Sequence, residues 1–177
     1  MKAITLWDPW ASLIALGEKK VETRSWRTDY RGPLAIHAAK RPMDKIAWKE
    51  PFYSALSPMM LAFYSALSPM RLDHELPSMI RHYPGCIVAT CWLMYCLPII
   101  GFDEEYQVAK MDFKKGEIDC TIMLGGKELA FGDYTVGRYA WYFNDIKPLV
   151  KPIPAKGFQR LWNWDERRED DMEERTK

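Results

Sequence analysis

The sequence predicts an α+β fold. Three observations carry that reading: one short, well-punctuated helix follows the first strand-like run, apolar or alternating runs recur along the rest of the chain, and 48% of the 177 residues are apolar. A chain of this length buries about two thirds of its unfolded surface in one domain.

Residues 2–6 form a short apolar run that suits a strand. A helix follows at once. Asp8 can cap it, Pro9 fits its first position, Trp10, Leu13 and Ile14 fall at i, i+3 and i+4, and Gly17 stands where a left-handed C-cap residue belongs. Residues 21–26 and 33–39 read as strands on either side of a turn at 29–32, and 85–97 as a long buried strand rich in Ile, Val, Thr, Trp and Tyr. A hairpin is expected from 119–124 to 127–130 through Gly125-Gly126. The last strand, 138–143, places Tyr139, Trp141 and Phe143 on one face and Ala140 and Tyr142 on the other.

Residues 52–59 recur as 63–70, a duplication with a period of 11. Two copies are too few for a solenoid, so a local insertion at about 49–83 is expected. Residues 165–177 hold seven acidic and four basic residues and read as a solvated tail.

The formal charge of +1 argues against a broad basic surface for non-specific phosphate binding. Two uncharged stretches, 51–70 and 82–102, are broken by Pro51, Pro58 and Pro69 and by Pro84, Gly85 and Pro98, so neither is expected to span a membrane. The opening residues lack a charged segment followed by an apolar one, and a reducing cytoplasm is the expected setting for the four cysteines. Cys86, Cys91 and Cys96 are five apart, which puts Cys91 on the opposite strand face from the other two unless a bulge intervenes. His37, His74 and His82 show no i, i+4 pair, so neither a metal nor another cofactor is expected. The phosphate-loop, nucleophile-elbow and zinc-deaminase patterns are all missing.

Candidate chemistry concentrates between Gly17 and His37. Lys19 follows the helix C-cap, and Glu22 and Arg24, two apart, share one strand face. Burial there would lower the lysine pKa while the glutamate opposes that shift. A surface salt-bridge cluster is the plainer alternative. Arg24 either holds Glu22 or meets a phosphate. Trp7, Trp10, Trp26 and Trp141 are candidates to stack a base or to fill the core, with Trp26 favoured for a cleft because it follows the charged triad. His37, on an apolar strand, suits a hydrogen-bonded core histidine better than a base, and is carried as a binding candidate.

Gly17-x-Lys19-x-x-Glu22-x-Arg24 resembles the G-x-K-x-x-E-x-R signature of the ASCH domain family, within the PUA-like superfamily. Leu6-Trp7-x-Pro9-Trp10-Ala11, residues 30–38, Phe131-Gly132-Asp133-Tyr134, residues 137–141 and Leu161-Trp162-x-Trp164 agree with the longer bacterial and phage-type members. The resemblance touches most of residues 1–164, a single domain, and leaves 49–83 and 103–117 without counterpart. It implies a mixed, mostly antiparallel PUA-like barrel of five to seven strands with flanking helices.

It also implies RNA or nucleoside binding in a cleft at the signature, and in one small branch hydrolysis of N4-acylcytidine amides. That branch has a threonine where Glu22 stands, so here water would attack, with Glu22 or an acidic partner as base and Lys19 stabilising the oxyanion. Glu128 and Asp133 are the candidates for the third catalytic partner. Two functions follow as expectations: an amidohydrolase acting on an N4-acylated cytosine nucleoside or nucleobase, and an RNA-binding module with ribonuclease as its catalytic variant. Residues 1–45 carry nine Lys or Arg against five Asp or Glu, enough for a few phosphate contacts.

Overall fold

A computed structural model describes residues 1–40 and 83–165. The duplicated insertion, apart from Tyr83, and the charged tail, apart from Asp165, lie outside the described residues. The elements run β1 (Lys2–Leu6), α1 (Trp10–Ala15), β2 (Val21–Arg24), β3 (Gly32–Ala38), β4 (Cys86–Asp103), β5 (Val108–Lys115), β6 (Ile118–Leu124), a 3-10 helix (Gly126–Phe131), β7 (Tyr139–Pro154) and β8 (Leu161–Asn163). The fold is α+β of the PUA-like barrel type, with strand order β2-β7-β4-β3-β1-β8 and with β5 and β6 branching from β4. β1 and β3 are parallel, and the other pairings are antiparallel. A parallel pair needs a long crossover, and the stretch holding α1 and β2 supplies it.

α1 ends as its punctuation predicts but begins one residue later: Pro9 stands at the N-cap and not at the first helical position, and Asp8, one residue before it, is bonded to Ser12 without capping the helix. Asp8 Oδ1 accepts from Ser12 N (3.0 Å) and Ser12 Oγ (2.8 Å), and Gly17, at φ +74°, donates to Ile14 O at 2.9 Å. Leu13 and Ile14 are buried, whereas Trp10 is half-buried and turned to a cavity instead of completing the core stripe.

β7 divides the interior as its alternation predicts. Trp141 and Phe143 join one core with Ile4, Ile14, Leu34 and Leu93, while Ala140 joins a second with Val21, Leu97, Ile99 and Met111. β4 reaches both cores. The register shift between Leu93 and Tyr95, where β4 spends two residues against one of β7, breaks its alternation, so Cys91 and Cys96 both enter the first core instead of facing opposite ways. Among the described residues no His, Cys, Asp and Glu group is placed to hold a metal ion, and no helix is long and apolar enough to cross a membrane.

Three expectations are corrected. Among the described residues eight strands form, one more than the upper expectation, because β5, which pairs with β4, and the three-residue β8 join the sheet while 127–130 does not. The hairpin turn lies at Gly116 (φ +60°), between β5 and β6, and not at Gly125-Gly126. Residues 126–131 form a 3-10 helix because the Glu128 carboxylate accepts the main-chain N–H of Lys20, which draws the segment toward β2 and away from β6.

Gly157 closes tightly over β1 and β3. A methyl group there would overlap the His37 ring and lie 2.8 Å from Thr5 Oγ1. Gly157→Ala is therefore expected to lower stability by about 1–3 kcal/mol, the usual range for overpacking, read as a fall in the urea midpoint at constant slope.

Candidate functional site

The left-handed turn at Gly17 sends the chain back across the end of α1, where Glu18 N and Lys19 N donate to Leu13 O at 3.0 and 3.1 Å. The Lys19 side chain then enters the interior and is wholly buried. Its ammonium donates to Phe131 O at 2.8 Å and to Val21 O, and lies 3.6 Å from Glu22 Oε2. Burial holds the Lys19 pKa below its ordinary value, opposed by the charges of Glu22 and Glu128. Two carbonyls accept from the ammonium and Glu22 pairs with its charge, so Lys19 braces the site from behind.

β2 presents Glu22 and Arg24 together, as their spacing predicts. Glu22 Oε1 lies 3.2 Å from Arg24 Nε, an ion pair without hydrogen-bond alignment, and Arg24 Nη2 donates to Thr5 O at 3.3 Å. Thr23 joins β2 to the segment after the 3-10 helix: its Oγ1 accepts from Asp133 N at 3.0 Å. Arg138 completes that joint, donating from Nε to Asp133 O (3.1 Å) and from Nη2 to Thr23 O (3.3 Å), with its Nε 3.3 Å from Asp133 Oδ2. The Asp133 carboxyl is held below the usual carboxylate range, chiefly by the Thr135 hydroxyl that donates to it at 2.6 Å.

These groups surround a cavity of about 390 Å³. Glu22, Arg24, Asp133 and Arg138 supply its charged wall, Trp7 and Trp10 its aromatic one, and Thr5, Leu6, Thr23 and residues 130–132 the remainder. Trp7 is 49% exposed, so much of its indole is open to solvent.

Of the sequence-predicted site residues, Glu22, Arg24, Asp133 and Trp7 line this cavity. Lys19 touches Glu22 but does not line it. Glu128 stands behind Lys19, where burial pushes its carboxyl above the ordinary range against the pull of Lys19 and of the Lys20 and Val21 amides. Half-buried Tyr134 and Tyr142 feel the same carboxylate, and burial first, then that charge, pushes the Tyr142 phenol up to about 12. Trp26 and His37 lie elsewhere. Trp26 packs edge-on against Trp141, with ring centroids 4.7 Å apart, and His37 is buried with Nε2 3.0 Å from Ala155 O. Burial lowers the His37 pKa, which keeps the ring neutral as a core histidine. Sequence reasoning gave no role to Arg138, although it stands inside a motif block that marked the resemblance.

The family model of the ASCH domain matches residues 4–153, which is most of the chain. The chain belongs to the ASCH domain family. Activating signal cointegrator 1 of Mus musculus is 35% identical over 165 residues, covering 92% of this chain and 22% of its own length. The Homo sapiens protein of the same name is 35% identical over 106 residues, covering 58% of this chain and 16% of its own length. The chain thus spans about a fifth of the length of the curated relatives it matches. In this ASCH domain the signature segment does two jobs: Gly17 and Lys19 fix the wall, and Glu22 and Arg24 face the cavity.

Lys19→Ala would strand Glu22 and two main-chain carbonyls in the interior. We expect it to cost about 3–5 kcal/mol, measured by urea unfolding, the range for removing one partner of a buried ion pair. Glu128 adds a pH dependence. Its folded pKa lies above its unfolded value of 4.5, so its contribution is fully present below pH 4.5 and is lost as pH rises through the folded value. Glu128→Gln should remove that fall, seen as a flatter urea midpoint against pH above 4.5 than the parent shows.

Proposed function

We propose that this ASCH domain is an RNA-binding module whose cavity takes a single nucleotide unit. The observation that carries the reading is the pairing of two exposed or half-buried indoles, Trp7 and Trp10, with two carboxylate-held guanidiniums, Arg24 and Arg138, around one cavity. Its volume of about 390 Å³ falls within the range of small-molecule sites. Indoles stack on any base, and the bonds of Arg24 and Arg138 leave other donors of each fork for a phosphate or a base edge. The four free cysteines suit a reducing compartment, the cytoplasm.

A second reading rests on Glu22. Its carboxylate lines the cavity beside Arg24, the position a base needs in order to take a proton from water attacking an N4-acyl amide of cytidine. Lys19 contributes to that reading as a positioning residue that sets the Glu22 carboxylate, since it is wholly buried and does not line the cavity.

A titration and an incubation test the two readings in turn. Cytidine monophosphate should quench the intrinsic tryptophan fluorescence, and Trp10→Ala should weaken binding by about 5- to 150-fold, the scale of one lost base stack of about 1–3 kcal/mol. No saturable quench would overturn the binding reading. Incubation with N4-acetylcytidine, followed by chromatography, reports on the second: deacylation that Glu22→Gln abolishes supports hydrolysis, and an intact substrate overturns it.

A further inference from the structure

Outside the cavity, a groove of about 650 Å³ lined by charged groups lies where β4 meets the end of β5 and the β2–β3 loop. Arg27 and Arg31 reach it from that loop, Lys114 and Lys115 from β5, and Asp112 is the one carboxylate among its lining residues. Between the two basic sides, β4 exposes Trp92 (46%) and Met94 (36%), while the alternating Cys91 and Leu93 face the core. An exposed indole flanked by cations on both sides is the arrangement that binds single-stranded nucleic acid, where bases stack and phosphates meet the basic walls.

The cations are placed to change partners. Arg27 pairs with Asp29 at 2.8 Å, and Lys114 lies 3.6 Å from both Asp112 and Asp119, all largely solvent-exposed except the half-buried Asp112. Exposed pairs of this kind contribute little to stability, so a phosphate can replace the carboxylates at small cost. Arg31 is already held, donating from Nη1 to Thr28 O at 2.9 Å and to Tyr30 O at 2.7 Å. The groove also adjoins the cavity along β7: Tyr139 lines the groove, and the preceding Arg138 lines the cavity.

We propose that this groove is a second nucleic-acid site, a track for several nucleotides of a single strand with Trp92 as its stacking platform. It goes beyond the cavity reading and is measured apart from it. An acidic protein segment is the competing occupant. Such a segment has no use for an exposed indole between the basic walls, whereas a base does.

The test is fluorescence anisotropy with a labelled dodecauridylate, alongside uridine monophosphate and poly-aspartate as competitors. Trp92→Ala and the double variant Lys114→Ala with Lys115→Ala alter exposed side chains, and their unchanged circular dichroism would confirm folding. Each should weaken the dodecamer about tenfold while leaving mononucleotide quenching as in the parent. The lysine pair should also flatten the dependence of log affinity on log salt by about 1.4, twice the single-strand increment. Dodecamer binding that both variants leave unaltered overturns the track. Poly-aspartate that displaces the dodecamer at equal charge, with Trp92→Ala neutral, assigns the groove to an acidic partner and also overturns it. A dodecamer that binds through the groove while the mononucleotide does not bind would sink the cavity reading and leave the track standing.

Discussion

The buried Lys19 ammonium is the contact on which the rest of the site depends. An isolated charge in an apolar interior is prohibitively costly, and here the cost is offset by two carbonyls and a carboxylate from two segments of the chain. Val21 begins β2, Glu22 faces the cavity, and Phe131 ends the 3-10 helix. One cation therefore sets the distance between the two segments that form opposite parts of the cavity wall. Phe131 is itself fully buried, so its carbonyl is held by packing before the ammonium meets it.

A second tie lies on the other side of the same strand. Thr23 accepts the Asp133 amide, and Gly132 permits the approach, since a side chain there would meet Tyr134 and, at 3.2 Å, the Thr23 methyl. Lys19 before Glu22 and Thr23 after it fix the carboxylate from both directions along a strand only four residues long. Among the described residues β2 is an edge strand, paired with β7 alone, and edge strands are poorly determined by their ladder. Side-chain bonds to the segment after the 3-10 helix give it the second attachment that a neighbouring strand would otherwise provide.

What was legible in the sequence was what short-range chemistry decides. Asp8, Gly17 and the apolar spacing between them mark α1, and period two puts Glu22 beside Arg24. β5 was legible but not read: Ala109, Met111 and Phe113 alternate with Lys110, Asp112 and Lys114, the period-two signal of a half-buried strand, and Ala109 and Met111 are buried in the second core. The hairpin at Gly125-Gly126 was locally sound and lost to a tertiary bond, from Glu128 to the Lys20 amide. The site divides in the same way. The signature named Lys19, but the carbonyl that turns it inward is 112 residues away, and Trp26 was favoured for adjacency in sequence although its ring is claimed by Trp141. Arg138 and Trp10 enter the cavity from β7 and α1, and nothing within either segment announces that they converge.

The charge pattern of the cavity favours discrimination over raw attraction. Each arginine is already faced by a carboxylate, Arg24 by Glu22 and Arg138 by Asp133, so the lining holds two charges of each sign. A bare anion gains little there, because its attraction to the guanidiniums is opposed by the carboxylates at similar range. A ligand with both donors and acceptors, and a flat face for the indoles, can satisfy all four groups at once. The chain's net charge of +1 provides little long-range steering toward a polyanion. Recognition at this site therefore depends on short-range matching of polar edges, with the two indoles excluding water from one side and the braced carboxylates fixing the geometry on the other.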